Sequence, residues 1–319
     1  MVLKKFNSSI LKGPLFFAKI LLFGEYGIII GSKGLSIPFF LFGGRLRLTE
    51  EENETTRASN QSLYEYTQYL SGLPEDLLRL DWEALKADLD RKLYFDSNIP
   101  QGYGVGSSGA LVAAFYDRYA LDKIYPQYDL TSQKLTHLKN IFATMESHFH
   151  GQSSGLDPLN SYLSLPLLIH SKDNIEFTGI LEQNTSGEGA VFLIDTGSSG
   201  ATAPMVSLFM EYMEEEGFRK MMNYEFTQIT DLCIENFLKS NLKSLFENMK
   251  SLSTLVLRNF KPMIPSQFHG LWKKGLETNA YYLKLCGSGG GGYLMGFTED
   301  LITAKKLMQG YQLEVVHYF

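Results

Sequence analysis

The strongest chemical signal in this 319-residue chain is a glycine cluster that runs into a helical pattern, Gly102-Tyr103-Gly104-Val105-Gly106-Ser107-Ser108-Gly109. A glycine loop feeding a helix presents unpaired backbone N–H groups at the positive end of the helix dipole, which suits a phosphate. Glycine permits the close approach that a Cβ would block. Ser107 and Ser108 add hydroxyls, one able to donate to phosphate and one able to ligate Mg2+. No Gly-Lys-Ser/Thr ending follows, so the loop is not a Walker A loop. It also lacks the spacing of a dinucleotide fingerprint, with its acidic residue about 20 positions on. A tight turn with a serine cap is the plain structural alternative. A second cluster, Gly287-Ser288-Gly289-Gly290-Gly291-Gly292, also has apolar flanks, and its plain alternative is a hairpin turn.

Between the two clusters lies Glu146-Ser147-His148-Phe149-His150-Gly151-Gln152-Ser153-Ser154-Gly155-Leu156-Asp157. His148 and His150 do not make a zinc site, because residues two apart on one helix point away from each other and no third ligand has suitable spacing. His150 is expected to shape the turn before Gly151. Cys286, beside the second glycine cluster, is expected to be a buried strand cysteine rather than a reactive thiol.

These residues need elements to hold them. Phe16 to Ile30 is predicted as strand, tight turn, strand, and Leu35 to Leu48 as a strand pair bent at Gly43-Gly44. Thr56 to Leu70 and Pro74 to Lys92 are predicted helices, followed by a short strand from Leu93 to Ile99. Leu111, Val112, Phe115 and Tyr119 recur at helical spacing from about Ser108, and so do Leu135, Leu138, Phe142, Met145 and Phe149. Ser161 to Leu168 and Asn174 to Ile180 are predicted to form a hairpin. Gln183 to Gly189 is a candidate linker. A strand is predicted from Ala190 to Thr196, and helices over most of Pro204 to Leu276. The end reads strand, glycine turn, strand, helix, strand. Strands and helices interleave without a regular βαβ period, which predicts an α+β fold. The expected division is a domain over residues 1–186 and a second over 187–319.

Composition sets outer limits. With 29 Lys and Arg against 35 Asp and Glu, the net charge is −6, which argues against a nucleic-acid partner held by bulk positive charge. Two cysteines cannot build a disulfide framework, so a reducing, cytoplasmic setting is expected. The longest apolar run is too short to span a membrane, and the segment with Lys4 and Lys5 has no signal-peptide pattern.

Pro100-Gln101-Gly102-Tyr103-Gly104-Val105-Gly106-Ser107-Ser108-Gly109-Ala110 resembles the central motif of the GHMP small-molecule kinases. Two more motifs agree, in the right order. Phe16-Phe17-Ala18-Lys19-Ile20-Leu21-Leu22-Phe23-Gly24-Glu25-Tyr26 resembles the family's N-terminal lysine motif, and Cys286 to Gly292 resembles its C-terminal glycine motif. The segment from Glu146 to Asp157 is similar to that of mevalonate kinases at identical spacing, and Asp195-Thr196-Gly197 with Thr202 and Val206 resembles their second-domain opening.

The resemblance implies a two-domain architecture, with N-terminal α/β layers containing an unusual left-handed βαβ unit and a ferredoxin-like C-terminal domain. It implies ATP and Mg2+ as cofactors. Gly102, Gly104, Val105, Gly106, Ser107, Ser108 and Gly109 would hold the nucleotide, and Ser108 and Glu146 the metal. One hydroxyl and one carboxylate are the hard oxygen donors that Mg2+ takes alongside phosphate and water. Asp157 and Lys19 would be catalytic, with the lysine ammonium stabilising charge on the transferred phosphoryl group. Lys19, Glu25, Tyr26, Asp157, Thr202 and Gly289 would line the acceptor site. The implied reaction is γ-phosphoryl transfer to a primary hydroxyl, mevalonate first among the acceptors. The implied partner is a small-molecule substrate, with no nucleic acid and no membrane, on a monomer or homodimer.

The sequence departs from the family pattern at three places. Phe17-Ala18 replaces Pro-Gly before the lysine. Tyr26 stands where histidine is usual, as in some phosphomevalonate kinases. Ser153 stands in place of a proline. Phosphomevalonate, homoserine or a sugar are therefore alternative acceptors. A diphosphomevalonate decarboxylase is disfavoured by the Lys19, Glu25 and Glu146 pattern, and a non-catalytic sensor by the retention of Lys19, Ser108 and Asp157.

Overall fold

The structure, a computed structural model, describes residues 14–126, 130–172, 174–180, 183–184 and 187–319. Residues 185 and 186 of the candidate linker, and Lys4 and Lys5, lie outside the described residues. The first elements are β1 (Phe16–Phe23), β2 (Gly34–Leu48), α1 (Glu54–Ser71), α2 (Trp82–Asp90), β3 (Leu93–Ser97), α3 (Ser107–Tyr119), α4 (Ser132–His150) and α5 (Leu156–Leu163). There follow β4 (Leu167–Ser171), β5 (Asn174–Phe177), β6 (Ala190–Asp195), α6 (Thr202–Glu214), α7 (Glu216–Met221), α8 (Thr227–Leu238) and α9 (Leu242–Asn259). The chain ends with α10 (His269–Thr278), β7 (Tyr282–Leu285), β8 (Tyr293–Thr298), α11 (Leu301–Leu307) and β9 (Leu313–Tyr318). Among the described residues no helix is long and apolar enough to cross a membrane.

The chain separates into two compact units, each built from more than one segment. The first takes residues 14–18, Phe40–Ile99 and Ser107–Ser164; the second takes Lys19–Phe39, Pro100–Gly106 and Leu165–Phe319.

In the first unit, Gly44–Leu48 of β2 pairs antiparallel with Leu93–Ser97 of β3. Asn53 begins α1 with a capping box: its side chain accepts from the Thr56 N–H at 2.9 Å, while the Thr56 hydroxyl accepts from the Asn53 N–H at 3.0 Å. Each bond satisfies a backbone or side-chain group left over at a helix start. Leu63, Tyr66 and Leu70 of α1, Val112, Phe115 and Tyr116 of α3, and Leu138, Phe142 and Met145 of α4 are all buried. The Asp88 carboxylate of α2 accepts from Arg118 Nη2 at 2.6 Å and from the Tyr119 hydroxyl at 2.9 Å. A charge-assisted fork of this kind keeps a buried carboxylate satisfied and locks α2 to α3.

In the second unit, Gly34–Ser36 of β2 pairs with Leu167–Ile169 of β4, and β4 forms an antiparallel hairpin with β5. A separate antiparallel sheet has the order β7-β8-β6-β9. Together with the helices between β6 and β7 and between β8 and β9, that order is the ferredoxin-like arrangement. Val191, Phe192, Leu193 and Ile194 are fully buried, as are Leu245 and Met249 of α9. The Trp272 indole of α10 donates to the Ser253 hydroxyl at 2.8 Å, so its one polar atom is paired in the core.

Four local expectations need correction. Gly24 to Ile30 is not a second strand. Gly24 (φ 114°) and Tyr26 (φ 60°) turn the chain, and a 3-10 turn over Gly27–Ile30 follows. Leu35 to Leu48 lies within one strand, not a pair. A Cβ on Gly44 would lie 2.2 Å from the Phe95 ring, so this glycine makes room for a cross-strand aromatic rather than a bend. The second helix starts only at Trp82, capped by Asp81. Ser161 to Leu163 finishes α5 instead of starting a strand.

Candidate active site

In the second unit the two glycine clusters lie backbone to backbone. Gly102, Gly104 and Gly106 all have left-handed φ, from 75° to 80°, which glycine adopts without strain. The Lys19 N–H donates to the Val105 carbonyl at 3.0 Å and ties the loop to β1. A Cβ on Gly104 would stand 2.9 Å from the Cys286 carbonyl oxygen, and one on Gly292 would stand 2.6 Å from the Tyr103 Cα. The Gly102 carbonyl accepts from Gly200 N–H at 2.8 Å, and the Gly292 carbonyl accepts from the Thr196 hydroxyl at 2.7 Å. Three loops far apart in sequence thus nest at distances that side chains would forbid.

Glu25 and Tyr26 follow β1 in the same unit. The Glu25 carboxylate accepts from the Lys284 ammonium of β7, which also donates to the Leu285 carbonyl at 2.8 Å. Burial pushes the Glu25 carboxyl above its usual range, while Lys284 and, more weakly, Lys19 pull it down. The Tyr26 hydroxyl donates to the Ser288 carbonyl at 2.6 Å. Its ring packs on Phe209 and Phe260, with centroids 4.7 and 5.5 Å away. A small cavity beside these residues is lined by Thr230, Phe226, Leu252 and Val256. Thr202 opens α6, and its hydroxyl accepts from Ser288 at a long 3.4 Å. Gly289 has φ 73°, and a Cβ there would sit 2.6 Å from the Met263 carbonyl oxygen. Cys286 is buried.

Lys284 escapes a motif search. Its only sequence signal is a charge inside the apolar run from Tyr281 to Leu285.

In the first unit Ser107, Ser108 and Gly109 open α3. The Ser108 hydroxyl donates to Glu146 Oε1 at 2.9 Å and lies 2.9 Å from His150 Nε2. Glu146 is buried near the end of α4. The Ser153 hydroxyl donates to its other oxygen, Oε2, at 2.5 Å. Asp157 stands in the first turn of α5, after a left-handed Gly155. A Cβ on Gly109 would meet the Asp157 carbonyl carbon and Pro158 nitrogen at 2.7 Å, so α3 and the start of α5 touch at this glycine. His148 instead packs on Tyr66 and Tyr69, with ring centroids 5.3 and 5.1 Å away.

Residues 76–164 match the family described as GHMP kinases N terminal domain. The mevalonate kinase of Thermococcus sibiricus is 24% identical, with 92% of each chain covered. A crystal structure of L. major mevalonate kinase in complex with R-mevalonate superposes with a TM-score of 0.66 at 17% identity, covering 99% of both chains. Streptococcus pneumoniae phosphomevalonate kinase, in complex with phosphomevalonate and AMPPNP, gives 0.62 at 12% identity, covering 95% of this chain and 99% of that one. The chain resembles the GHMP small-molecule kinases in sequence, mevalonate kinases in particular, and it has their fold.

Proposed function

We propose that the protein transfers the γ-phosphoryl group of ATP to the primary hydroxyl of a small molecule, with mevalonate as the acceptor. The observation that carries this reading is the Ser108–Glu146 pair, a hydroxyl and a buried carboxylate 2.9 Å apart at the start of α3, with Asp157 held against that same helix start by Gly109. The donor set fits Mg2+, which takes hard oxygen ligands and leaves room for phosphate and water. Ser108 and Glu146 would hold it, and the ion would neutralise charge on the β- and γ-phosphates. The loop from Gly102 to Gly106 and the helix start at Ser107, Ser108 and Gly109 would cradle the phosphates through backbone N–H groups.

In this reading Asp157 orients the acceptor hydroxyl and accepts its proton. Lys19 balances charge on the moving phosphoryl group. Glu25, Tyr26, Thr202 and Gly289 shape the acceptor site. The mevalonate kinase relative of Thermococcus sibiricus supports the acceptor assignment. Tyr26 favours phosphomevalonate as the second reading. We further propose a first domain over residues 1–186 and a second over 187–319, in a cytoplasmic monomer or homodimer.

ADP release measured with mevalonate, phosphomevalonate, homoserine and galactose tests the proposal. Turnover with mevalonate is expected, and Asp157→Ala should lower it by several orders of magnitude while ATP still binds. Turnover with galactose or homoserine alone would overturn the acceptor, and near wild-type turnover in Asp157→Ala would overturn the role of Asp157.

A further inference from the structure

We propose that Ser153 is a positioning residue for Glu146, fixing the carboxylate that meets the metal. The inference rests on the reading of Glu146 and Ser108 as metal ligands. It concerns a residue at which this chain departs from the segment it resembles, since proline is usual there.

A carboxylate turns readily about its last side-chain torsion, which is broad and roughly two-fold. Glu146, only 3% exposed, receives a hydroxyl on each oxygen, Ser108 on Oε1 and Ser153 on Oε2. Ser153 is itself held. Its oxygen accepts the Gly155 N–H at 3.0 Å, and a hydroxyl has one proton to give, so that proton is aimed at Glu146. Gly155 in turn is wedged against α4: a Cβ there would lie 2.2 Å from the Lys139 carbonyl oxygen, and its φ is 74°. The path from α4 through the turn and back to the α4 carboxylate is short and closed. Proline at 153 would offer no hydroxyl and could not make this bond. Here the outer oxygen is pinned by the turn, and Oε1 is the oxygen shared with Ser108.

Groups that orient a metal ligand typically change metal affinity about 10- to 100-fold when removed. The test is Mn2+ binding to the full chain with ADP present, read from the loss of the free-ion EPR signal, beside the Mg2+ dependence of turnover. Ser153→Ala should weaken Mn2+ binding about tenfold and raise the Mg2+ needed for half-maximal turnover, with kcat at saturating Mg2+ little changed. Ser153→Cys, which keeps the volume but donates weakly, should behave like Ser153→Ala. Ser153→Thr, which keeps the hydroxyl, should bind close to wild type. Wild-type affinity in both Ser153→Ala and Ser153→Cys, or a Ser153→Thr as weak as Ser153→Ala, overturns the role of Ser153 alone. A wild-type protein that takes up no Mn2+ with ADP overturns the metal reading of Glu146 and Ser108, and this proposal with it.

Discussion

The Lys284 ammonium and the Glu25 carboxylate form an ion pair in which neither side chain is open to solvent, with Lys284 4% and Glu25 7% exposed. Removing one partner of a buried pair leaves an uncompensated charge and typically costs about 3–5 kcal/mol, whereas removing both costs less. Lys284→Met should therefore destabilise the protein more than the double variant Glu25→Gln, Lys284→Met. Urea unfolding of the four proteins closes the cycle. A loss in the double variant equal to the sum of the two single losses would mean that the pair contributes little beyond packing.

Two glycines of the first unit separate steric fit from backbone conformation. On Gly109 a methyl group would press on backbone atoms of Asp157 and Pro158 at 2.7 Å, and backbone cannot rotate away. On Gly151 it would meet nothing within 4 Å, but φ is 71°. Gly109→Ala should shift Asp157 and reduce turnover about 100-fold, the scale of a misplacement near 1 Å. Gly151→Ala should cost about 1–3 kcal/mol of stability for a positive-φ backbone that residues with a Cβ rarely adopt, with turnover close to wild type. Paired thermal melts and ADP-release rates check both, and a Gly109→Ala enzyme of normal turnover would refute the contact's importance.

How far the sequence alone reaches depends on the range of the interaction. The helices α3 and α4 are legible because Leu111 to Tyr119 and Leu135 to Phe149 repeat at helical spacing, a property of local chain geometry. The Gly104–Gly109 loop and the Glu146 to Asp157 segment are legible because their glycines and acids sit at fixed, short spacings. Ile28, Ile29 and Ile30 mislead: three β-branched residues suggest a strand, but Gly24, Tyr26 and Gly31 with positive φ wind the segment into a 3-10 turn. Lys284 is invisible as a partner because Glu25 lies 259 positions away and the pair forms only when β7 arrives beside the turn after β1. Ser153 registers in sequence only as a missing proline; its bond to Glu146 depends on how the turn folds back on α4.

Tyr26 links the turn after β1 to the second glycine cluster through its hydroxyl on the Ser288 carbonyl. Burial raises its pKa, with the Glu25 charge adding to the effect, so the hydroxyl keeps its proton at any working pH and the bond persists in mild alkali. Tyr26→Phe keeps the ring among Phe209 and Phe260 and deletes only the donor. The expected loss is about 1 kcal/mol, with faster amide hydrogen exchange confined to the turn from Gly287 to Gly292. Unchanged exchange in that turn would show that the nested glycine loops hold without the tyrosine.

His317 of β9 gives the chain a defined acid sensitivity. It is 1% exposed, packs between Phe237 and Phe319, and neither ring nitrogen has a hydrogen-bond partner among the described residues. Burial favours the neutral ring and lowers its pKa below the ordinary 6.5. The unfolded chain then binds a proton more readily than the folded one, so this residue's contribution is at its most favourable above about pH 6.5 and declines as pH falls towards the depressed folded pKa. Replacing an unpaired buried polar ring by an apolar one of similar shape removes a desolvation cost. His317→Phe should therefore match or exceed wild-type stability at pH 8 and lose less stability between pH 7 and pH 5. Urea midpoints across that range measure the difference, and parallel pH profiles for the two proteins would overturn the assignment.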